Sequence, residues 1–167
     1  RIEFCISMEP VTGMEHIIWP LEGFEKHAWE IRNIGLEVIS AHIFTDKPAL
    51  AAGRLKRLAA AYGIRQFVFK TPQERTSEKM QEAALAFMQA AETLKEAGAD
   101  LLLHNEAADI AEHISGRTAY EHMLELCMGK AGAQVDVGWA YAAGEDPEAL
   151  LRRIAPLVKS VHYKDFC

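Results

Sequence analysis

Apolar positions recur every three or four residues in five stretches of this chain, and each stretch gives way to a short run rich in β-branched, leucine or aromatic residues. The first stretch runs from about Gly23 to Ile34, with Phe24, Ala28 and Ile31 on one face and Gly35 placed as a C-terminal stop. The run Leu36-Glu37-Val38-Ile39-Ser40-Ala41-His42 after it reads as a strand. Leu55, Leu58, Ala59 and Tyr62 then repeat at helical spacing up to Gly63, ahead of the strand Gln66-Phe67-Val68-Phe69. Ser77 caps a long helix striped by Met80, Ala84, Phe87, Ala91 and Leu94, with Gly98 at its end and Leu101-Leu102-Leu103-His104 beyond. Thr118 and Glu121 form a T-x-x-E capping box for a fourth helix, which stops near Gly129 or Gly132 before the strand Gln134-Val135-Asp136-Val137. A fifth helix starts at Asp146-Pro147-Glu148, ends at Pro156 and is followed by the run Val158 to Tyr163.

Regular alternation of this kind predicts parallel strands joined by right-handed crossovers, with helices flanking the sheet. Two further runs, Ile2 to Ile6 and Glu15 to Trp19, read as strands with too few residues between them for a helix. Seven strands is one short of a closed barrel, which typically takes about 250 residues. The expected architecture is therefore a TIM-type (β/α) barrel, a single domain over residues 1–167, with its last βα unit absent from the chain. The sequence begins at Arg1 rather than Met and stops at Cys167 directly after a strand-like run, so both ends read as cut.

Composition narrows the function classes. The 167 residues are 50% hydrophobic, enough for a full core, and carry a formal charge of −6. No run of Lys or Arg is longer than the Arg152-Arg153 pair, so there is no electrostatic footprint for nucleic acid. No apolar run approaches the roughly 20 residues needed to cross a bilayer, and the N-terminus lacks the order of a signal peptide, which points to no membrane and a cytoplasmic enzyme. Cys5, Cys127 and Cys167 are odd in number and lack CxxC spacing, so they read as free thiols.

Strands of a parallel sheet are apolar until their C-terminal ends, where chemistry-bearing groups emerge into the loops. Here His42 ends one strand, His104 and Glu106 another, Asp136 sits late in a third, and His162 and Lys164 end the last. Side chains alternate along a strand, so His104 shares a side with Glu106, and His162 with Lys164. Imidazole and carboxylate together are ligands for Mn, Co, Zn or Mg. Each has an ordinary alternative: a hydrogen-bonded structural histidine, an Asp136 capping the next turn, a solvated Glu106, a surface ion pair of Lys164 with Asp165. Agreement of four strand ends favours a shared metal site. His16, His27, His113 and His122 read as surface or packing residues.

Asp136-Val137-Gly138-Trp139, Ala143-Gly144-Glu145-Asp146-Pro147 and Val161-His162-Tyr163-Lys164-Asp165 follow one another at a spacing that resembles the sugar-phosphate isomerase/epimerase and inosose-dehydratase group of the xylose-isomerase-like superfamily. The pattern in that group is D-x-G-W or D-x-G-H, then A-G-x-D-P, then H-x-K-D. Leu102-Leu103-His104-Asn105-Glu106 is similar to the group's Y-H-N-H segment, and Ser40-Ala41-His42 to its early strand-end histidine. The resemblance covers roughly residues 30 to 167. It implies Asp136 and His162 as metal ligands and a third ligand at His104 or Glu106. The second histidine of H-N-H is Glu106 here, which leaves the choice between the two open. A fourth ligand in such enzymes is a Glu on the last barrel strand, beyond the end of this chain.

The resemblance thus implies a divalent-metal-dependent isomerase or epimerase of a sugar or sugar phosphate. Glu106 would move the proton next to the carbonyl, Lys164 and His42 would orient substrate oxygens, and Trp139 would form an apolar wall. A dehydratase of a cyclic polyol would use the same residues. An apurinic endonuclease, a relative in the superfamily, needs more His and Glu ligands than can be placed and a different net charge. A non-catalytic relative binding a small ligand or partner is the remaining reading, and exposed sheet edges in a short form would favour homo-oligomers.

Overall fold

The computed structural model of the chain describes residues 2–9 and 18–164. Seven parallel strands follow the hydrogen-bonded order β2-β1-β3-β4-β5-β8-β9, and β6 and β7 pair separately as an antiparallel hairpin. The chain divides into two compact units, Arg1–Phe69 with Gln89–Leu101, and Lys70–Met88 with Leu102–Cys167.

The first unit contains β1 (Ile2–Ser7), β2 (Trp19–Pro20), α1 (Leu21–Asn33), β3 (Val38–Phe44), α2 (Pro48–Tyr62) and most of β4 (Gln66–Lys70). β1 pairs with β3 so that Cys5 lies opposite His42, and His42 in turn lies opposite Val68 of β4. Ile6, Ala41 and Phe67 of the strands share one face of the sheet, and they, with Phe24 and Leu55 of the helices, are essentially removed from water. Full burial of each large side chain contributes about 1.5–3 kcal/mol, which is why the apolar stripes of α1 and α2 lie on this face. Of the expected strand Glu15 to Trp19, only Trp19 falls in β2; residues 15–17, His16 among them, lie outside the described residues.

Two element boundaries in this unit differ from the sequence expectation. Helix α1 starts at Leu21 rather than Gly23, directly after Pro20. The strand expected from Leu36 begins at Val38 and runs on to Phe44, past His42. The cause is the helix stop: with Gly35 at φ 83°, the Leu36 amide turns back to donate to the Ile31 carbonyl at 3.1 Å and is spent on closing α1.

α3 (Ser77–Lys95) leads into β5 (Asp100–His104). The Thr76 hydroxyl accepts from the Lys79 amide at 3.3 Å, so Thr76 caps this helix and Ser77 is its first residue.

The second unit continues with α4 (Ala107–Ala111), the hairpin of β6 (His113–Ile114) and β7 (Arg117–Thr118), α5 (Ala119–Leu126), β8 (Gly132–Asp136), α6 (Val137–Ala142), α7 (Pro147–Arg153) and β9 (Val158–His162). The hairpin turns on Ser115 and Gly116, both at positive φ, as a tight two-residue connection requires. The Thr118–Glu121 capping box and the Asp146 cap expected from the sequence both form. Glu121 is tied further: burial alone would raise its carboxyl, but hydrogen bonds from Arg153 and Thr118 outweigh this and hold it below the usual carboxylate range. The segment after Asp136, expected to extend the strand to Val137, turns into α6 because the Asp136 carboxylate caps it. Cys127 is buried, which pushes its thiol up to about 12. No helix among the described residues is long and apolar enough to cross a membrane.

Candidate metal centre

β5, β8 and β9 are neighbours, and their register decides which side chains meet. His104 lies opposite Gln134 on β8, and Asp136, two residues further along the same strand, lies opposite His162 on β9. Period-two alternation puts Gln134 and Asp136 on the same face. Three residues separated by up to 58 positions in the sequence are thereby drawn to one end of the strands.

One ligand atom each from His104, Asp136 and His162 falls within a group whose members are all within 4.8 Å of one another. His104 Nε2 stands 3.4 Å from Asp136 Oδ2, and His162 Nδ1 stands 3.9 Å from the same oxygen. The two imidazole rings meet edge to face with centroids 5.2 Å apart. His104 and Asp136 are buried and His162 is about one-third exposed, so the group opens to solvent on the His162 side.

The two oxygens of Asp136 have separate jobs. Oδ1 accepts from the Trp139 amide at 2.9 Å and caps α6. Oδ2 receives no aligned hydrogen bond among the described residues, although the Lys164 ammonium lies 2.6 Å away as an ion pair. Lys164 also stands 4.3 Å from the centre of the Trp139 ring, a cation–π arrangement. A depression of about 440 Å³ lined by Val137, Tyr141, Leu151, Tyr163 and Lys164 adjoins this lysine.

The donor set suits a divalent ion. Two imidazoles and a carboxylate are ligands for Zn, Mn or Co. In a tetrahedral site donors about 2.1 Å from the ion lie roughly 3.4 Å from one another, the spacing that His104 Nε2 and Asp136 Oδ2 already have.

Glu106 does not belong to this group. Its side chain pairs with Lys70, both half-exposed, and its backbone amide donates to Asp109 Oδ2 at 2.7 Å. Asp109 is buried and is also bonded by the Thr71 hydroxyl and by Arg75 at 2.6 Å, while Arg75 reaches Glu112 at 3.1 Å. Burial works against the Arg75 charge, but its bonds to Asp109 and Glu112 prevail and its pKa is raised. The sequence reading missed this network, because Thr71, Arg75 and Asp109 lie in loops or a one-turn helix with no periodicity to mark them. His42 is buried on β3 in the first unit, its ring 6.1 Å from that of Phe44.

No family model matches this chain, and no curated protein sequence matches it. Solved structures do. The chain superposes on a sugar phosphate isomerase/epimerase from Parabacteroides distasonis with a TM-score of 0.75 and 20% identity, over 84% of this chain and 56% of that one. A probable 3-DHS dehydratase from Bacillus anthracis, involved in petrobactin synthesis, gives 0.66 at 12% identity over 98% of this chain and 73% of that one. A xylose isomerase-like TIM barrel protein from Mycobacterium smegmatis, in complex with magnesium, gives 0.64 at 13% identity over 97% and 61%. The chain thus has the fold of the xylose isomerase-like TIM barrels, and it spans little more than half the length of the first of these structures.

Proposed function

We propose that the chain carries the greater part of the active site of a divalent-metal-dependent isomerase or epimerase acting on a sugar or sugar phosphate. The observation that carries this reading is the convergence of His104, Asp136 and His162, three candidate ligands from three neighbouring strands. It is supported by the likeness in fold to a sugar phosphate isomerase/epimerase and to a magnesium-bound barrel.

His104, Asp136 and His162 would hold the ion, with Asp136 ligating through Oδ2. When bound, such an ion supplies Lewis-acid polarisation of a carbonyl and its adjacent hydroxyl, worth several kcal/mol of charge stabilisation. Glu106 would take the proton from the carbon next to the carbonyl and return it to the neighbouring carbon on the same face. Proton transfer by a positioned carboxylate contributes about 10²- to 10⁴-fold. To act, Glu106 exchanges its contact with Lys70 for the substrate. Lys164 donates to a substrate oxygen from its perch on Trp139, whose indole forms the apolar wall. We place the reaction in the cytoplasm, on a small polar substrate.

A second reading uses the same residues: removal of water from a polyol, favoured by the likeness in fold to a dehydratase. Two measurements decide. Asp136→Ala and His162→Ala lose both bound Mn, Co or Mg and turnover; unchanged metal content in both variants overturns the assignment. Assaying aldose–ketose interconversion beside release of a conjugated enone from inosose separates isomerase from dehydratase.

A further inference from the structure

β5 and β8 part after the His104–Gln134 pair, and what spans them beyond that point is side chain. Asn105 is fully buried, with 0% exposure. Its amide oxygen accepts from the Asp136 backbone N–H at 2.8 Å, and its amide nitrogen donates to the Asp136 carbonyl at 3.1 Å. A single primary amide therefore grips both backbone groups of one residue 31 positions away. A second tie joins the same two strands slightly deeper: the Tyr120 hydroxyl lies 2.7 Å from the Leu103 carbonyl and 3.3 Å from that of Gln134.

We propose that Asn105 is a positioning residue, which sets the aim of the Asp136 carboxylate toward the two imidazoles. The inference rests on the metal reading above. Its basis is the difference between the two ties. Tyr120 holds the strands together without touching Asp136, so it supports the scaffold alone. Asn105 fixes the φ/ψ frame of Asp136 itself while its chain neighbour His104 supplies a facing nitrogen. With the backbone of Asp136 clamped and Oδ1 committed to Trp139, the direction of Oδ2 is determined. Residues that orient a ligand in this way typically cost 10- to 100-fold in metal affinity when removed, about what is expected here.

The experiment is titration of the whole chain with Co²⁺, read as a dissociation constant and as the visible absorption that reports coordination geometry, together with urea unfolding. Asn105→Ala should weaken Co²⁺ binding by about tenfold or more and alter the absorption spectrum. Tyr120→Phe should lower stability and leave both metal readouts where they were. Should Asn105→Ala not fold, Asn105→Asp serves instead: it keeps an acceptor for the Asp136 amide, loses the donor to its carbonyl, and should also weaken binding. Equal changes in the Asn105 and Tyr120 variants, or unchanged binding in the Asn105 variant, overturn the proposal. Failure of the unaltered chain to take up Co²⁺ overturns the metal reading and this role with it.

Discussion

Lys164 Nζ lies 2.6 Å from Asp136 Oδ2, the one oxygen of that carboxylate not engaged in capping α6 and the one faced by both histidines. A divalent ion bound by the three ligands and the Lys164 ammonium compete for the same atom. Charges a few ångströms apart near a protein surface interact by several kcal/mol before solvent screening, and Lys164 is about one-third exposed. Lys164→Met should therefore tighten Mn²⁺ or Co²⁺ binding by about tenfold in a calorimetric titration, while turnover falls. Weaker binding in that variant would show the lysine to support the ion rather than compete with it.

Glu106 sits outside the ligand group and inside the reaction proposed. Glu106→Gln keeps the side chain's length and removes its basicity. Steady-state assays should show turnover lowered by about 10²- to 10⁴-fold with metal content unchanged by elemental analysis. Lost metal instead would make Glu106 the third ligand, the alternative its position in the H-N-E segment leaves open.

Asp109 depends on Arg75. With its side chain only 3% exposed, Asp109 is left by Arg75→Met as a buried carboxylate bonded by Thr71 and the Glu106 amide alone. Removing one partner of a buried pair costs about 3–5 kcal/mol, and the remaining donors place this case near 3. Urea unfolding midpoints measure it, and a change below about 1 kcal/mol would mean the pair is solvent-screened.

The Glu121 carboxyl is held below its ordinary range, so its charged form favours the folded chain. Its contribution is complete above the unfolded value of about 4.3 and disappears as pH falls through the lower folded value. Arg153→Met removes part of that support. The stability gap between the two proteins should be widest near neutral pH and shrink at about pH 3, as read by denaturant midpoints at both. A gap independent of pH would assign the effect to packing of the arginine stem.

Much of the fold was legible because local rules act over a few residues. The Thr118–Glu121 box and the Asp146-Pro147 start form as expected. The errors fell where a residue does two things at once. Asp136 ends β8 and caps α6, so the expected strand through Val137 is one residue too long. Leu36 looks like a strand residue and is spent on closing α1. Three of the four strand ends singled out in the sequence carry the group, but no spacing in the chain could separate His104 from Glu106 as its third member.

By itself the sequence determined the alternation of helix and strand and the polar residues at the strand ends, because side-chain periodicity and capping are short-range effects. Tertiary structure decided which of those residues meet. Register between β5, β8 and β9 is fixed by backbone pairing between segments far apart in the sequence, and it draws His104, Asp136 and His162 together while Glu106 pairs with Lys70. The grip of Asn105 on Asp136 joins positions 31 residues apart, and pairing at that separation exists only once the strands are assembled.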